Sequence, residues 1–344
     1  MRKPLLSFAI LSGILLSVTS LHAATINWKG DMRFRYADQV VDGFGSSASV
    51  ARERLRYRFR YGFEGMANDQ TTVVLRLASG GGSFKSTNSD LGMSSMSGAS
   101  NSAYFDQACI KYEPYDSNMV LQVGKMGNPF ASTILLYDGD ISLGGISELT
   151  KFGDWGLNIG AFVVTENSGI AAQDNLLIGA QFGGKVMDLD DGGNLTAYAS
   201  YYSATGELDR IFEALATLKL NSMFSIQGDA FRNFRSDTST KTLGYLVEGK
   251  VKINDGLSAS LLYALRQSSA FSADYLFGDS DFDENLKVGA NNQGIKASVA
   301  YVPFKDNELN LTIFSNSNVD SAGSGATAGI GNAFVLYGDW VVKL

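Results

Sequence analysis

The sequence predicts a transmembrane, antiparallel, up-and-down β-barrel of about sixteen strands, with short periplasmic turns and long extracellular loops. Three observations predict it. Segments with period-two alternation recur from one end of the chain to the other, as in RERLRYRFRYGF at 52–63. The connections between these segments alternate between long and short. A secretion signal precedes a chain in which no apolar run reaches the 18 residues of a membrane helix.

The second predicted strand defines the most distinctive face of the molecule. Arginines stand at every second residue from 52 to 60, and from Leu55 onward the alternate positions are leucine, tyrosine and phenylalanine. A strand sends alternate side chains to opposite faces, whereas a helix would scatter both sets around its circumference. Two neighbouring strands continue the pattern, so the predicted basic ladder comprises Arg33, Arg35, Arg52, Arg54, Arg56, Arg58, Arg60 and Arg76.

The basic ladder is predicted to face a water-filled lumen. An arginine facing lipid costs about 2–4 kcal/mol at the bilayer midplane, so five on one strand would cost on the order of 10–20 kcal/mol. Neighbouring arginines on one face are only about 6.6 Å apart and need counter-charge or solvent. A pore-lining role is one interpretation; the other is that the arginines only hold lipopolysaccharide phosphates or internal salt bridges.

Residues 1–23 are predicted to be a cleaved signal peptide. Arg2 and Lys3 precede an apolar run, and small residues follow it. Cleavage is expected after Ala23, with Ala24 as the alternative, and residues 24–344 would form the barrel. The predicted location is therefore the outer membrane of a Gram-negative cell, with lipid and lipopolysaccharide around the barrel.

Composition excludes several classes of function. Cleavage removes two cations, so the net charge falls from −7 to −9, which argues against nucleic acid as a partner. His22, the one histidine, leaves with the signal peptide, so histidine-dependent hydrolysis and histidine metal sites are excluded. We expect no catalytic residue, no metal and no cofactor, and interpret Cys109 as a small strand residue.

Sixteen strands are predicted from the alternation, an even number as in single-chain bacterial barrels. The segment 140–151 shows the weakest pattern, and its loss with a neighbour would give fourteen. The predicted strands are 25–37, 52–64, 70–80, 103–114, 119–126, 140–151, 155–166, 174–187, 194–203, 211–221, 223–234, 242–253, 257–267, 291–303, 308–317 and 331–344.

The connections predict the orientation. Several of the short ones carry Asn-Asp or Asp-Gly pairs, which tolerate positive φ in hairpins. They lie near Asn68, Asp116, Gly153, 188–193, Ser222, 254–256 and Lys305, and the long ones are 38–51, 81–102, 127–139, 167–173, 204–210, 235–241, 268–290 and 318–330. Trp28, Trp155 and Trp340 all fall at the short-turn ends, where a periplasmic aromatic girdle is expected.

The third long loop, near 127–139, is predicted to fold into the barrel. It is long and partly apolar, and Asp138 and Asp140 at its end are candidate counter-charges for the basic ladder. Carboxylates opposite an arginine wall would make a constriction whose charges set solute preference. Whether the loop narrows or plugs the lumen is left open by the sequence.

The motifs RERLRYRFRYGFEG and VGKMGNPF, together with the signal peptide and sixteen strands, resemble a Gram-negative putative porin family. The organisation is similar to general diffusion porins, and the resemblance implies a homotrimer with its third loop in the lumen. The chain departs from that pattern at its end, because Leu344 stands where those porins usually have phenylalanine or tryptophan.

These observations predict a porin: a water-filled channel for passive diffusion of small hydrophilic solutes and ions. A solute-selective channel for an oligosaccharide or an anion is the alternative, with the arginines as a relay and Tyr198 and Tyr202 as an aromatic slide. An outer-membrane enzyme is disfavoured because a barrel phospholipase normally needs histidine. A plugged, adhesive barrel would not conduct.

Overall fold

The computed structural model is one closed antiparallel β-sheet that curls into a barrel. It describes residues 25–41, 50–80, 87–91, 103–165, 174–205, 209–234, 240–271, 291–319 and 332–344. The predicted signal peptide therefore lies outside the described residues. In the described part of the chain, no helix is long and apolar enough to cross a membrane.

Sixteen strands form the barrel wall, and a two-residue strand, β4, adds to it beside β2. The sixteen predicted strands are all present, including the weakly patterned one that becomes β7. The strands are β1 Ile26–Val41, β2 Val50–Asn68, β3 Thr71–Ser79, β4 Ser89–Asp90, β5 Ala103–Tyr112, β6 Met119–Gly127, β7 Ser142–Phe152, β8 Trp155–Thr165, β9 Asn175–Asp188, β10 Asn194–Ala204, β11 Arg210–Lys219, β12 Phe224–Asn233, β13 Leu243–Asn254, β14 Leu257–Arg266, β15 Asn292–Phe304, β16 Asn307–Asn318 and β17 Asn332–Lys343.

The barrel closes where the first strand meets the last. β1 pairs antiparallel with β2 on one side and with β17 on the other, so the sheet has no free edge at this point. Closure satisfies the backbone hydrogen bonds that an open edge would leave unpaired in lipid. It also places residues from the two ends of the chain side by side.

The short connections have the hairpin chemistry that the sequence predicts. Asp116, Gly153 and Asp306 have φ values of 55°, 65° and 63°, in the left-handed region that tight turns require. The turn between β9 and β10 contains one turn of 3₁₀ helix at Asp190–Gly192. All of these turns lie at one end of the barrel, which we call the short-turn end; the other is the long-loop end.

The outer face of the wall is apolar. Leu55, Phe59 and Tyr61 of β2 are exposed, and so are Phe34 and Tyr36 of β1. The alternate positions on both strands carry the arginines. Because the two sets are offset by one residue, the same alternation that exposes the aromatic side chains directs the arginines into the barrel.

The three tryptophans lie at the short-turn end of the outer face. Trp28 stacks on Tyr61, with ring centroids 5.5 Å apart, and Trp155 stacks on Phe182 at 5.3 Å. The indole Nε1 of Trp340 donates to the side chain of Asn307 at 3.2 Å. Their shared height on the wall is the arrangement expected for an aromatic rim at a membrane interface.

The inner face differs between the two halves of the barrel. At the short-turn end it is polar, as the alternation predicts. At the long-loop end it carries apolar side chains that are fully buried, such as Leu177, Ile211, Val335 and Tyr337. The expectation of a polar interior is therefore wrong for this half of the described structure, because these side chains pack against a loop inside the barrel.

Candidate functional site: the interior of the barrel

The basic ladder lies on adjacent strands of the inner wall. The register of β1 and β2 sets Arg35 directly opposite Arg56, and Arg33 directly opposite Arg58. Side chains at directly opposed positions of an antiparallel pair are about 4.5–5.5 Å apart at Cβ, where like charges destabilise the sheet. Carboxylates and other hydrogen-bond acceptors from four other places in the chain offset this repulsion.

The closing strand supplies the first carboxylate. Arg35 stands opposite Asp339 of β17, and its Nε donates to Asp339 Oδ1 at 2.7 Å while Nη2 donates to Oδ2 at 2.9 Å. Both side chains are less than one-tenth exposed. The guanidinium also lies over the ring of Tyr337, 4.1 Å from its centroid. This bidentate ion pair connects residues that are 304 positions apart in the sequence.

Asp31 and Asp140 together hold the lower part of the ladder. Arg58 Nη2 lies 2.8 Å from Asp31 Oδ1, and Arg60 Nη2 lies 2.7 Å from Asp31 Oδ2. The same two arginines contact Asp140 Oδ1 at 3.1 Å and 2.9 Å. Thr87 donates to Asp140 Oδ2 at 3.0 Å. Two carboxylates and two guanidiniums thus form one cluster on the inner wall.

Two further carboxylates serve the rest of the ladder. Asp90, in the short strand β4, lies 3.3 Å from Arg52, 3.8 Å from Arg54 and 3.0 Å from Arg56. Asp106 of β5 accepts a hydrogen bond from Arg76 Nε at 2.6 Å.

Two arginines of the ladder also donate to neutral amide groups. Arg33 donates to Asn88 Oδ1 at 2.5 Å and Arg54 donates to Gln39 Oε1 at 2.6 Å. Among the described residues, seven of the eight predicted arginines contact a carboxylate, and Arg33 donates to Asn88. Internal salt bridges therefore account for much of the ladder, as one of the two interpretations of the sequence holds.

The connection between β6 and β7, residues 128–141, crosses the interior of the barrel. We call it the inner loop. Backbone groups of Ala131 exchange two hydrogen bonds with the side chain of Gln181 on β9, at 2.8 Å and 2.7 Å. Arg266 of β14 donates to the carbonyl oxygen of Ile134 at 3.1 Å. Asp140 contacts Arg58 and Arg60 of β2, so the loop is bound to widely separated strands of the wall.

Aromatic contacts hold the apolar part of the inner loop. Phe130 packs edge-on against Phe162 at 6.0 Å and against Tyr202 at 5.3 Å between ring centroids. Tyr137 packs edge-on against the same Tyr202 at 5.4 Å. Leu135 and Leu136 are fully buried. The sequence identifies the segment but not this packing, because the partner residues lie on distant strands.

Asp138 and Asp140 differ in their contacts. Asp138 Oδ1 accepts a hydrogen bond from the backbone N–H of Asp140 at 2.7 Å, which shapes the end of the loop. Asp140 projects onto Arg58 and Arg60. Burial, and secondarily the charge of Glu213, raises the pKa of the Tyr137 hydroxyl well above its ordinary value, so this group stays neutral.

Two acidic side chains lie beneath the inner loop. Glu213 of β11 and Asp229 of β12 are 0% and 3% exposed. Tyr202 donates to Glu213 Oε2 at 3.2 Å, and the Thr133 hydroxyl donates to Asp229 Oδ2. Within the described residues neither carboxylate forms an ion pair. Their buried position fixes Thr133 and Tyr202, and thereby the loop, against this side of the wall.

The wall at the short-turn end, away from the arginines, borders a cavity of about 530 Å³. Its inner face presents lysine ammonium and serine or threonine hydroxyl groups. The lining includes Lys219, Lys250, Lys252, Lys296, Ser260 and Ser298. The described residues contain no group of three or more histidine, cysteine, aspartate and glutamate side chains placed to hold a metal ion.

Sequence reasoning missed the carboxylates that balance the ladder, apart from Asp140. Asp31 could have been found, because it stands two residues before Arg33 on the same face of β1. Asp90, Asp106 and Asp339 depend on strand register and carry no local signal. The lysines were likewise missed, since each strand contributes only one or two and their proximity requires the folded sheet.

Comparison with known proteins agrees with this architecture. The model of a family described as putative porin matches residues 45–209, which include the arginine-rich strand and the inner loop. The resemblance predicted from the sequence is thereby confirmed. No curated protein matches the chain.

Solved structures share the fold at low sequence identity. OmpF of Salmonella typhi, in a complex with daunomycin, is 12% identical with a TM-score of 0.59, covering 93% of this chain and 97% of its own. OprB of Pseudomonas putida, in a high-pH structure, is 11% identical with a TM-score of 0.60, covering 93% and 94%. A triple mutant of Rhodopseudomonas blastica porin is 14% identical with a TM-score of 0.55, covering 93% and 100%.

The fold and the family match together indicate the class of protein that this chain resembles. A closed sixteen-strand barrel with an apolar outer belt and a match to the putative porin family supports an outer-membrane channel. The chain is thus similar to porins in family and in fold. Both point to a channel rather than to an enzyme.

Proposed function

We propose that this protein is a porin through which small hydrophilic solutes and ions diffuse passively across the outer membrane. The observation that carries the proposal is the polar, solvent-accessible inner wall at the short-turn end of a closed barrel. A barrel of sixteen strands is wide enough to enclose an aqueous channel. Passage then depends on width and charge, with no covalent step.

The inner loop is the proposed constriction. It ties Ala131 to β9 and Asp140 to β2, so it occupies part of the cross-section that solutes would otherwise share. Its apolar side chains are directed into the aromatic cluster around Tyr202, which supports a fixed loop rather than a moving gate. We propose that it narrows the lumen and that solutes pass on the side of the arginine wall.

The arginines are the proposed lining of this narrow passage. Arg58 and Arg60 share Asp31 and Asp140, so guanidiniums and carboxylates of one cluster face the same space. Fixed opposite charges at close range produce a transverse field that orders water and dipolar solutes. We propose the pore-lining role for the eight arginines of the ladder, with Asp140 as the constriction carboxylate.

The remaining expectations complete the proposal. We propose that residues 1–23 direct export and are removed, that residues 24–344 form the mature barrel, and that the three tryptophans lie at the periplasmic interface. The likeness to general diffusion porins supports a homotrimer. The contacts of the barrel are then lipid and lipopolysaccharide outside, and hydrophilic solutes and ions inside.

Single-channel recording tests the proposal. Refolded protein, shown to be folded by its heat-modifiable migration on gels, is added to a planar bilayer in a potassium chloride gradient. We expect stable conductance steps and an ohmic response to voltage. A folded barrel that gives no steps would contradict the proposal and would favour a plugged barrel.

A further inference from the structure

A row of cationic and hydroxyl side chains crosses the inner wall opposite the arginines. The strand register aligns Lys219 of β11 with Ser225 of β12, and Ser225 with Lys250 of β13. It continues from Lys250 to Ser260 of β14 and from Ser260 to Ser298 of β15. We call these five residues the lysine–serine row. All of them line the cavity at the short-turn end.

The spacing of the row suits one small anion held by several donors. Adjacent strands are about 4.8 Å apart, so the backbones of Lys219 and Lys250 are roughly 10 Å apart with Ser225 between them. Lysine carries its charge on a flexible four-carbon stem with three donors, and both ammonium groups can converge over the serine. The serine hydroxyl groups can donate further hydrogen bonds to an anion the size of chloride or larger.

The row retains more positive charge than its own carboxylates offset. Lys250 contacts Glu248 at 3.0 Å, and nearby Lys252 contacts Asp255 at 2.7 Å. Lys219 forms no ion pair within the described residues. Lys296, one level away from the row, lies over the ring of Phe314 at 5.2 Å and likewise has no carboxylate partner there. The arginine ladder differs, because carboxylates contact nearly every member.

We propose that the lysine–serine row is a binding site for small oxyanions, with inorganic phosphate and phosphomonoesters as the class of ligand. Lysine ammonium groups bind phosphate as point charges, and hydroxyl groups hydrogen-bond its remaining oxygens. The inference rests on the proposed function in one respect: the solute must reach the row through the lumen. It moves the anion-selective element of the channel from the arginines to the lysines.

The site is built for weak and rapid binding. The side chain of Lys250 is 55% exposed, and the cavity beside it is open to the lumen. Water screens such charges, so each contributes little to affinity. A conducting pore requires this, because a solute that binds must also leave. The row would then raise the local concentration of anions at the short-turn mouth.

Phosphate block of the chloride current tests the site. Single-channel current is recorded at fixed ionic strength while phosphate replaces chloride on one side and then on the other. We expect saturable block, stronger when phosphate enters from the short-turn side. In the double variant Lys219→Gln, Lys250→Gln the half-blocking concentration should rise roughly three- to tenfold.

Lys305→Gln is the control for charge removal outside the row. Lys305 lies in the turn between β15 and β16 at the same end of the barrel, and its side chain is 92% exposed. It removes one positive charge outside the row, whereas the double variant removes two within it, and block should match that of the wild type. Equal block in the double variant and the wild type would overturn the inference, and so would a conducting wild type that phosphate leaves unaffected.

A binding measurement keeps the test independent of conduction. The ³¹P line width of inorganic phosphate is measured with refolded protein in detergent micelles. We expect broadening by the wild type and by Lys305→Gln, and a loss of at least about half of it in the double variant. No broadening refutes the oxyanion site. Broadening without conductance would instead contradict the proposed function alone.

Discussion

Arg35 and Asp339 show why single residues of the inner wall matter for stability. Their ion pair is buried, bidentate and stacked on Tyr337. Removing one member of a buried pair leaves the other charge desolvated, which typically costs about 3–5 kcal/mol. Replacing both members with apolar residues of similar volume costs much less, because no charge is then buried.

Asp339→Ala should therefore lower the free energy of unfolding by roughly 3 kcal/mol, and Arg35→Leu combined with Asp339→Leu should recover most of that loss. The measurement is the urea midpoint of refolded protein in micelles, followed by tryptophan fluorescence. Glu64→Ala, which breaks the exposed Lys29–Glu64 pair, should cost less than about 1 kcal/mol. Similar costs for Asp339→Ala and Glu64→Ala would contradict this account.

The contrast between predicted and unpredicted residues follows from sequence distance. The arginines are recognisable because five of them alternate within one strand. Asp339 is their neighbour only after the barrel closes, and the lysine–serine row exists only after five strands are in register. Patterns within a strand are visible in the sequence, whereas contacts across the wall depend on register, which the sequence leaves open.

Strands were the most predictable elements. Period-two alternation is a local property, and hairpin turns have local chemistry, so the sixteen wall strands lie within a few residues of their predicted bounds. β4 was missed because two residues carry no periodicity. The apolar inner face was missed because leucine or tyrosine at an inward position, such as Leu246, has no distinguishing signal until the inner loop covers it.

The inner loop leads to a prediction at the scale of an element. If it narrows the lumen, replacing residues 132–137 with a two-residue glycine–serine link should raise the single-channel conductance by about twofold or more, since conductance follows the open cross-section. Steps are recorded in potassium chloride alongside the wild type. A matched shortening within 273–286, outside the described residues, controls for the effect of loop loss. Unchanged conductance would show that the loop is not the constriction.

At the scale of the whole molecule, positive charge is arranged differently on two parts of the inner wall. We call the part that carries the basic ladder the arginine wall, and the part that carries the lysine–serine row the lysine wall. The arginine wall is cross-linked by Asp31, Asp90, Asp106, Asp140 and Asp339, and its charges are mostly compensated. The lysine wall is sparsely compensated and more exposed. Rigidity therefore resides mainly in the first wall, and the uncompensated field in the second.

Charge removal at Arg54, Arg56 and Arg58 is expected to shift ion selectivity toward cations, because Asp31, Asp90 and Asp140 would then have fewer positive charges beside them. Reversal potential under a salt gradient measures the shift. Glutamine is the substitution of choice, since it removes the charge and keeps a polar side chain. Retained selectivity in the folded triple variant would mean that these side chains do not face the conducting path.

The topology of the whole barrel is tested by labelling from outside the cell. The short turn at 189–193 should be periplasmic and the long connection at 268–290 extracellular, because turn and loop lengths differ in that sense in outer-membrane barrels. Cys109 is buried in the wall, so Cys109→Ala provides a background without a competing thiol.

On intact cells, an impermeant maleimide should react with Ser280→Cys, which lies outside the described residues, and spare Asp191→Cys. Permeabilised cells should expose both positions, which controls for reactivity and expression. The reverse pattern would place the lysine–serine row at the outer mouth and the inner loop on the periplasmic side, and would overturn the orientation on which the transport direction depends.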